Sequence, residues 1–446
     1  MPISMIRILA ASLALGISVA AQAQSPAKPN VVLIITDDVG YGDFGSYGAR
    51  DVKTPNIDRL ARQGVRLTDF YAAPQCTPTR AALITGRYQQ RVKLERALST
   101  VGSSLEEGLV ATGRSLPQLL KNAGYTTGLV GKWHLGYKPE FGPNAHGFDY
   151  FYGFLAGYID FYTHTRGIDG AADLQENLTP VSDSGYMTDL ITSRAVRFID
   201  QSAAKPFFLE VTYNAAHWPY QRPDHYSKSA NNSRFQGPED SIPATRADYV
   251  AMIERADDGV GKILAALEKH GLTRNTLVIF TNDNGGEWLS NNAPFFHRKD
   301  TLWEGGIRVP AIFRWPAQLP AGKTSAQPGI TMDLTATILA ATHAPIPANA
   351  ALEGRDLLPI VAGKAAPVER ALFWRIAAPN RQQRAVRQGD WKLLLDGDDL
   401  LLFNVRTDLG ERRDLAAQRP DIVRRLQSLL VAWEADVDAE AARATK

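Results

Sequence analysis

Residues 30–38 read NVVLIITDD, and this stretch decides the fold class. The continuous aliphatic and β-branched run from Asn30 to Thr36 is typical of a strand buried on both faces, as in a parallel sheet covered by helices. Two carboxylates, Asp37 and Asp38, follow it directly. Ligands of open α/β sheets bind just beyond the carboxyl ends of the strands. The stretch therefore predicts a central strand and shows at which end of the sheet a site is to be sought.

Apolar strands and amphipathic helices alternate along most of the remaining chain. Segments 54–64 and 115–124 each have a Pro near the start and a Gly at the end, which is typical of short helices. We predict an α/β fold with a large mixed sheet sandwiched by helices. The further predicted elements are strands at 125–130, 207–213, 276–281 and 311–314, and a long helix at 247–271.

The pattern changes near Arg370. Short apolar runs separated by polar turns follow, and then an amphipathic helix at about 420–439. This predicts a small antiparallel sheet with a packed helix. We expect a main domain at 24–365 and a smaller C-terminal subdomain at 366–446.

Composition excludes several protein classes. The 446 residues carry 49 Lys and Arg against 47 Asp and Glu, and 44% are hydrophobic. Such values are typical of a packed globular protein and exclude a disordered chain, a collagen-like repeat and a coiled coil. The near-neutral charge balance argues against a nucleic-acid partner.

The first 23 residues have the pattern of a secretory signal peptide. Arg7 is followed by an apolar run, and Ala21-Gln22-Ala23 is an A-x-A cleavage site. The run is shorter than the roughly 20 residues that span a bilayer, and no later stretch is long and apolar enough. We expect an exported protein, periplasmic or secreted, that starts near Gln24 and has no stable membrane association.

Oxygen ligands follow two of the predicted strands. Asp37 and Asp38 follow the first, and Asp283 and Asn284 follow the strand at 276–281. Hard oxygen donors suit Ca²⁺ or Mg²⁺ and not zinc, which prefers Cys and His. Each pair alone is better explained as turn formers, which are common after a strand; together the two pairs favour a metal site.

Four cationic or titratable residues lie near the same strand ends. Lys132 and His134 follow one strand, His217 follows another, and Lys299 lies farther along the chain. Each alone reads as a solvated loop residue. Gathered at one metal site, they would suit an anionic substrate group and proton transfer to a leaving group.

Residues 76–86, CTPTRAALITG, contain the one cysteine of the chain. Pro78 and Gly86 bracket a short helix, so Cys76 lies at its N-terminus, where backbone amides favour an anion, with Arg80 one turn on. By residue statistics Cys76 would be an inert buried thiol; its neighbours favour an activated one. A reactive thiol is prone to oxidation outside the cell, which suggests that the residue does not remain a thiol.

Cys76-Thr-Pro-Thr-Arg80 matches the C-x-P-x-R motif of type I sulfatases, and the match extends through Thr85-Gly86-Arg87. The chain resembles this formylglycine-dependent family over nearly its whole length. Six further blocks occur in the family's order: PNVVLIITDDVGYGDFGSYG, TPNIDRLARQGVRLTDFY, GLVGKWHLG, AAHWPY, FTNDNGG and KDTLWEGGIRVPAI. The resemblance implies an alkaline-phosphatase-like fold with the catalytic domain at 24–365.

The resemblance also implies site roles. Cys76 would be converted to formylglycine by a maturation enzyme, and its gem-diol would attack sulfur to give a sulfated enzyme, releasing alcohol and then sulfate. Asp37, Asp38, Asp283 and Asn284, with the modified Cys76, would hold calcium, or less readily magnesium. Arg80 and Lys132 would hold the formylglycine and the sulfate. His134 would deprotonate the second hydroxyl, and His217 and Lys299 would assist the leaving oxygen.

The implied substrates are aryl or carbohydrate sulfates. Two alternatives stay open: a phosphonate or phosphate ester hydrolase of the same superfamily, and a metal-dependent glycan-binding protein without turnover. Specificity would lie in the loops near 135–185, 218–245 and 287–299. Candidate substrate contacts there are Tyr158, Asp160, His164, Trp218, His297 and Arg298.

Overall fold

The computed structural model describes residues 28–167, 169–224 and 244–443. The predicted signal peptide at 1–23 and most of the predicted loop at 218–245 lie outside the described residues. The strands are β1 Asn30–Thr36, β2 Val65–Tyr71, β3 Thr126–Lys132, β4 Tyr150–Phe154, β5 Leu174–Glu176, β6 Thr179–Pro180, β7 Phe207–Thr212, β8 Thr276–Asn282, β9 Arg308–Arg314, β10 Lys323–Ser325, β11 Gly329–Ile330, β12 Ala371–Ala378, β13 Arg381–Gln388, β14 Trp391–Asp396 and β15 Asp399–Asn404. The α-helices are α1 Pro55–Arg62, α2 Cys76–Thr85, α3 Leu116–Asn122, α4 Met187–Ser202, α5 Arg246–Lys269, α6 Glu304–Ile307, α7 Met332–Thr342, α8 Leu358–Val361 and α9 Pro420–Arg443.

A mixed sheet of eleven strands forms the centre of the molecule, in the order β10-β2-β9-β8-β1-β7-β3-β4-β5-β6, with β11 paired to β2. The strands β8, β1, β7, β3 and β4 run parallel to one another. Their carboxyl ends therefore meet on one side of the sheet. Strand β1 lies between β7 and β8, which confirms that the stretch at residues 30–36 is central.

Alternate residues of β1 point into two apolar cores. Val32 and Ile34 pack with residues of α1, α4 and α5 on one face. Val31, Leu33 and Ile35 pack with residues of α2, α3 and α7 on the other. All five side chains are buried, which is why the strand reads as an unbroken apolar run. This confirms the predicted large mixed sheet sandwiched by helices.

The C-terminal residues form a separate antiparallel sheet of four strands, β12 to β15, with α9 packed against it. The core beneath this sheet includes Tyr71, Leu302 and Ile307 from the main domain. The predicted small sheet with a packed helix is confirmed. Its core is continuous across the predicted boundary at 365/366.

A buried charge network joins the two parts. The Lys392 ammonium lies 2.9 Å from Glu304 Oε1 and 2.9 Å from Glu411 Oε1, and Glu411 Oε2 accepts a hydrogen bond from the Glu304 amide at 2.7 Å. Arg308 also pairs with Glu304, at 3.0 Å. Burial alone would raise the pKa of Glu304, but Lys392 and Arg308 outweigh it and lower that pKa to about 2. The network fixes the C-terminal sheet to the segment that follows Lys299.

In the part of the chain that the structure describes, none of the helices combines the length and the apolar character that crossing a membrane requires.

Candidate active site

The side chains singled out from the sequence converge at the carboxyl ends of the parallel strands. Asp37 and Asp38 follow β1, Lys132 ends β3, and Asp283 and Asn284 follow β8. Cys76 is the first residue of α2, whose end is closed by Gly86 in the left-handed conformation at φ 67°. His134, His217 and Lys299 complete the group, and all of these residues are buried.

Asp37, Cys76 and Lys132 form the first contact group. Lys132 Nζ lies 2.6 Å from Asp37 Oδ2, with both side chains fully buried. The Cys76 thiol donates to Asp37 Oδ1 at 3.5 Å. Burial, and next Asp283, raise the pKa of Asp37 to about 8 against the opposing effect of Lys132. The start of α2 is therefore held directly against the end of β1.

Asp38 is the centre of the second group. Lys299 Nζ lies 2.7 Å from Asp38 Oδ2 and 3.6 Å from Cys76 Sγ, and His217 Nε2 lies 3.5 Å from the same carboxylate oxygen. The Asn284 amide nitrogen donates to Asp38 Oδ1 at 2.7 Å. Burial alone would raise the pKa of Asp38, but Lys299 and His217 hold it below its ordinary value.

Arg80 and Asp283 form the third group. Arg80 Nη2 pairs with Asp283 Oδ2 at 2.9 Å, and Nη1 donates to the backbone oxygen of Lys132 at 3.0 Å. Burial would raise the pKa of Asp283, but Arg80 and Lys132 hold it below its ordinary value. Each of the three carboxylates therefore faces its own cationic side chain, and charge balance alone does not require a metal ion.

The donor geometry, however, fits a metal ion. Asp37, Asp38, Cys76 and His217 each offer one ligand atom, and these atoms lie within 4.8 Å of one another. Asn284 Oδ1 is buried with no hydrogen-bond partner among the described residues, so this oxygen is free to coordinate an ion. Two carboxylates and an amide oxygen suit a hard divalent cation. A divalent ion would leave the site net positive, as an anionic substrate requires.

The two histidines have different orientations. His217 Nδ1 lies 2.6 Å from the backbone oxygen of Trp218, so Nδ1 carries the proton and Nε2 faces the site as an acceptor. His134 Nε2 lies 2.8 Å from the oxygen of Leu98, which leaves Nδ1 as its acceptor nitrogen, buried without a partner among the described residues. Burial lowers the pKa of both rings, that of His217 to about 3. Both are therefore neutral in this arrangement.

The Cys76 thiol is not activated here. Its side chain is 1% exposed, and burial, followed by the Asp283 charge, raises its pKa well above the ordinary value despite the helix start and the nearby Lys132 and Lys299. The expectation of a stabilised thiolate is therefore not met. Cys76 lies among the other groups of the site, but as a thiol it stays protonated.

The six suggested substrate contacts divide into three pairs. Tyr158 stacks on His217, with ring centroids 5.5 Å apart, and contacts Trp218 at 3.9 Å. Asp160 and His164 are buried and hydrogen-bonded to other parts of the protein: Asp160 Oδ2 accepts from Gln221 Nε2 at 2.7 Å, and His164 Nε2 lies 3.0 Å from the Gly185 oxygen. His297 and Arg298 lie beside Lys299, where Arg298 covers the ring of Trp288.

Two neighbours of the site were not identified from the sequence. A Cβ on Gly157 would lie 2.6 Å from His134 Cε1, so only glycine lets this loop approach the imidazole. Trp288 is 55% exposed in the loop that leads to Lys299. Neither carries a chemical motif, and only the spatial neighbourhood identifies them.

Comparison with known proteins adds the family. A family model described as Sulfatase matches residues 29–344. N-acetylgalactosamine-6-sulfatase of Mus musculus is 35% identical over 378 residues, covering 79% of this chain and 69% of that protein. Steryl-sulfatase of Mus musculus is 30% identical over 561 residues, covering 98% of this chain and 86% of that protein.

A solved structure shows the same architecture. Ps i-CgsB superposes with a TM-score of 0.83 at 33% identity, over 91% of this chain and 92% of its own. A second structure, of Ps i-CgsB in complex with k-i-k-neocarrahexaose, superposes with a TM-score of 0.82. Since the family model spans most of the chain and encloses every residue of the site, the protein belongs to the sulfatase family and is a sulfuric ester hydrolase.

Proposed function

We propose that the protein hydrolyses carbohydrate sulfate esters, using a formylglycine made from Cys76 and a bound divalent metal ion. The observation that carries the proposal is the position of Cys76 Sγ, 3.5 Å from Asp37 Oδ1 and 3.6 Å from Lys299 Nζ. An oxygen at that place would lie between the metal carboxylates and the cationic side chains. The hydrated aldehyde would supply the nucleophilic oxygen that a protonated, buried thiol does not.

The metal ligands in this proposal are Asp37, Asp38, Asp283 and Asn284, together with the modified Cys76. Calcium is the preferred ion and magnesium the second choice, because all four side chains offer oxygen donors. The ion would act as a Lewis acid on the sulfate oxygens.

The remaining side chains bind the anion and move protons. Arg80 and Lys132, both fully buried beside the carboxylates, hold the sulfate and the modified residue. His217 and Lys299 face the same Asp38 oxygen. The Lys299 ammonium can give a proton to the leaving alcohol directly, and His217 can do so once its Nε2 has taken up a proton, which a bound sulfate anion would favour. His134 keeps one unpartnered nitrogen and accepts the proton released when sulfate is expelled.

A carbohydrate substrate is supported by the relatives. The curated relatives include an N-acetylgalactosamine-6-sulfatase, and the Ps i-CgsB structure was solved with k-i-k-neocarrahexaose. Tyr158 and Trp218 place aromatic rings beside His217, where they would line the sugar pocket. Phosphate or phosphonate ester hydrolysis is the second candidate, since the same ion and cations would bind those groups.

One substrate series tests the activity. Nitrophenyl sulfate, phosphate and phenylphosphonate esters, with sulfated monosaccharides, are compared on a single preparation. We expect sulfates to have the highest kcat/KM, and a higher value for a phosphonate would contradict the proposal. Exhaustive chelation should remove activity and calcium should restore it, whereas stoichiometric zinc by elemental analysis would refute the metal assignment.

Mass spectrometry tests the modification. The Cys76 peptide of active enzyme should carry an aldehyde in place of the thiol, and Cys76→Ala should abolish turnover with the fold intact. Full activity of a wholly unmodified thiol would overturn this part of the proposal. It would also remove the need for a maturation enzyme as a partner.

The proposed export has its own test. Residues 1–23 would direct the chain to the periplasm or the medium, and N-terminal sequencing of the exported protein should start at Gln24. Retention of Arg7 in active enzyme would contradict a cleaved signal peptide. We also propose that the exported protein consists of a catalytic domain at 24–365 and a smaller subdomain at 366–446.

A further inference from the structure

The loop between Asn284 and Lys299 is a rigid border of the site. The Lys299 amide donates to the Gly286 oxygen at 3.1 Å, so the two ends of the loop lie side by side. Asn292 braces the interior: its Oδ1 accepts from the Gly286 amide at 2.9 Å, and its Nδ2 donates to the His297 oxygen at 3.2 Å. Whatever this loop displays is held at a fixed place beside the reacting groups.

The loop displays an exposed aromatic platform. Trp288 is 55% exposed, and no other tryptophan of the described residues is exposed. The Arg298 guanidinium carbon lies 3.7 Å from the centroid of its ring. Arg298, which covers the Trp288 ring, directly precedes Lys299 in the chain, and the Lys299 side chain contacts Cys76. The platform therefore lies next to the site. An exposed indole ring is in unfavourable contact with water, and a ligand that covers the ring would remove that contact.

Two arginines lie around His297, in the same loop as the platform. Arg381, the first residue of β13, donates from Nη1 to the Asp300 oxygen at 2.5 Å, which brings the C-terminal sheet to this loop. Neither Arg298 nor Arg381 has a carboxylate partner among the described residues. Partial burial of His297, and next the Arg381 and Arg298 charges, lower its pKa, so both guanidinium groups lie near this ring. Asp396, which acts in the opposite direction, accepts a hydrogen bond from the Trp303 indole nitrogen at 3.0 Å.

We propose that Trp288, Arg298 and Arg381, here called the rim, form a subsite for the sugar next to the one that carries the reacting sulfate. The indole stacks on the apolar face of that ring, and the guanidinium groups bind a second anionic group on it. The inference rests on the proposed carbohydrate sulfatase function. It makes the natural substrate a multiply charged oligosaccharide chain.

The composition of the rim favours this occupant. A simple aryl sulfate carries one anionic group, which the buried cations at Cys76 bind, and leaves two more guanidinium groups unused. A second copy of the chain would have to bring an acidic surface against Trp288. A saccharide with a second sulfate supplies both an apolar face and the charge.

The experiment measures kcat/KM of each variant on long and on short substrates. The holoenzyme and the variants Trp288→Ala, Trp288→Phe and Arg381→Ala are assayed on sulfated hexasaccharides of carrageenan, chondroitin sulfate and fucan. Monosaccharide sulfates and nitrophenyl sulfate serve as short substrates. Arg384→Ala is the matched control, because Arg384 lies on the same strand but faces Glu434 of α9 at 3.4 Å.

We expect Arg381→Ala to lower kcat/KM about tenfold on the preferred hexasaccharide, the usual scale of a lost charged hydrogen bond, with little change on the short substrates. Trp288→Ala should act in the same way, and Trp288→Phe should retain most of the activity. Arg384→Ala should behave as wild type.

Equal losses on long and short substrates, or no loss on either, would overturn the rim. The rim would also be overturned if the wild-type enzyme hydrolysed short sulfates but hydrolysed none of the hexasaccharides with a higher kcat/KM. That result would leave the proposed sulfatase function intact. A concentration-dependent dimer abolished by Trp288→Ala would assign the platform to a second copy instead. Absence of activity on every sulfate ester would sink the proposed function itself, with the rim.

Discussion

Among single residues, Lys299 is placed to act on the leaving oxygen in the proposed mechanism. Its ammonium lies 2.7 Å from Asp38 Oδ2 and 3.6 Å from Cys76 Sγ. His217 faces the same oxygen, whereas His134 approaches from the end of β3 with Nδ1 unpartnered. General acid help matters more as the leaving oxygen becomes more basic. His217→Ala and Lys299→Ala should therefore reduce turnover of sugar sulfates more than that of nitrophenyl sulfate.

His134→Ala should slow both kinds of substrate alike and produce a burst of released alcohol, since the proposed role of His134 begins after the alcohol has left. Rapid-mixing assays with both substrates measure the difference. If His217→Ala gave the burst and the equal losses, the roles of the two histidines would be reversed.

Gly157 provides a second prediction at the residue scale. A methyl group at this position would stand 2.6 Å from Cε1 and 2.7 Å from Nε2 of the His134 ring, and the same Nε2 is hydrogen-bonded to the Leu98 oxygen at 2.8 Å. Gly157→Ala should therefore displace the imidazole and lower kcat by at least about tenfold, as small displacements of catalytic groups do. The far-ultraviolet circular dichroism should stay native.

Gly410→Ala is the control, because the nearest neighbour of its methyl group would be Nε of the exposed Arg412 side chain at 3.3 Å, which can shift at little cost. Wild-type kcat in Gly157→Ala would show that His134 has room to move, and the argument from close approach would fail.

The gathering of the candidate site residues could be predicted from the sequence, because strand ends and the Cys76 motif mark them locally; their chemical roles stay predictions. Asp37, Lys132 and His217 each follow a recognisable apolar run. The one-to-one pairing of carboxylates with cations could not be predicted, because Arg80 reaches Asp283 across 203 positions of chain. The same holds for Trp288, whose importance comes only from its neighbours in space.

At the scale of elements, α6 and β14 are joined by charge. Burial, and then Glu304, raise the pKa of Glu411 to about 7 from an ordinary 4.5, against the effect of Lys392. Between these pH values the folded protein holds a proton that the unfolded chain has lost, so the free energy of unfolding falls as the pH rises from 4.5 to 7. At about 1.4 kcal/mol for each pH unit, this group contributes at most about 3 kcal/mol to that fall.

Glu411→Gln should flatten the pH dependence across this range, because the amide mimics the protonated acid. Urea unfolding at pH 5 and pH 7 measures the effect in both proteins. An unchanged slope in the variant would mean that Glu411 is ionised in the folded protein.

Elements were predictable where one period dominates the sequence. The strand at 30–36 and the helix that closes at Gly86 are confirmed, and the predicted ends of α5 differ from the observed ones by one or two residues. Strand β2, Val65–Tyr71, was not predicted, because half of its residues are polar or partly exposed and its register shifts between Leu67 and Phe70. Helix α7 was also missed: almost every residue is buried, so no polar face reveals its period.

At the scale of the whole molecule, the C-terminal sheet and the main domain share one core and one charge network. Lys392→Ala would leave Glu304 buried without its nearest ammonium, and breaking a buried pair costs about 3–5 kcal/mol. We expect the wild type to unfold in one calorimetric transition and the variant in one transition at lower temperature. Two separate wild-type transitions would show that the subdomain at 366–446 is independent.

The order of strands in the sheet also has a consequence in time. Strand β1 lies in the middle of the sheet, but its partners are residues 208–212 and 276–282. A ribosome delivers β1 first, β7 only from residue 207 and β8 only from residue 276, so one edge of the central strand stays unpaired until more than half of the chain has been made. Lys299, which contacts Cys76 in the folded protein, is made after β8, so the folded surroundings of Cys76 cannot be complete before that point. We expect another enzyme to be able to reach this residue at least until then.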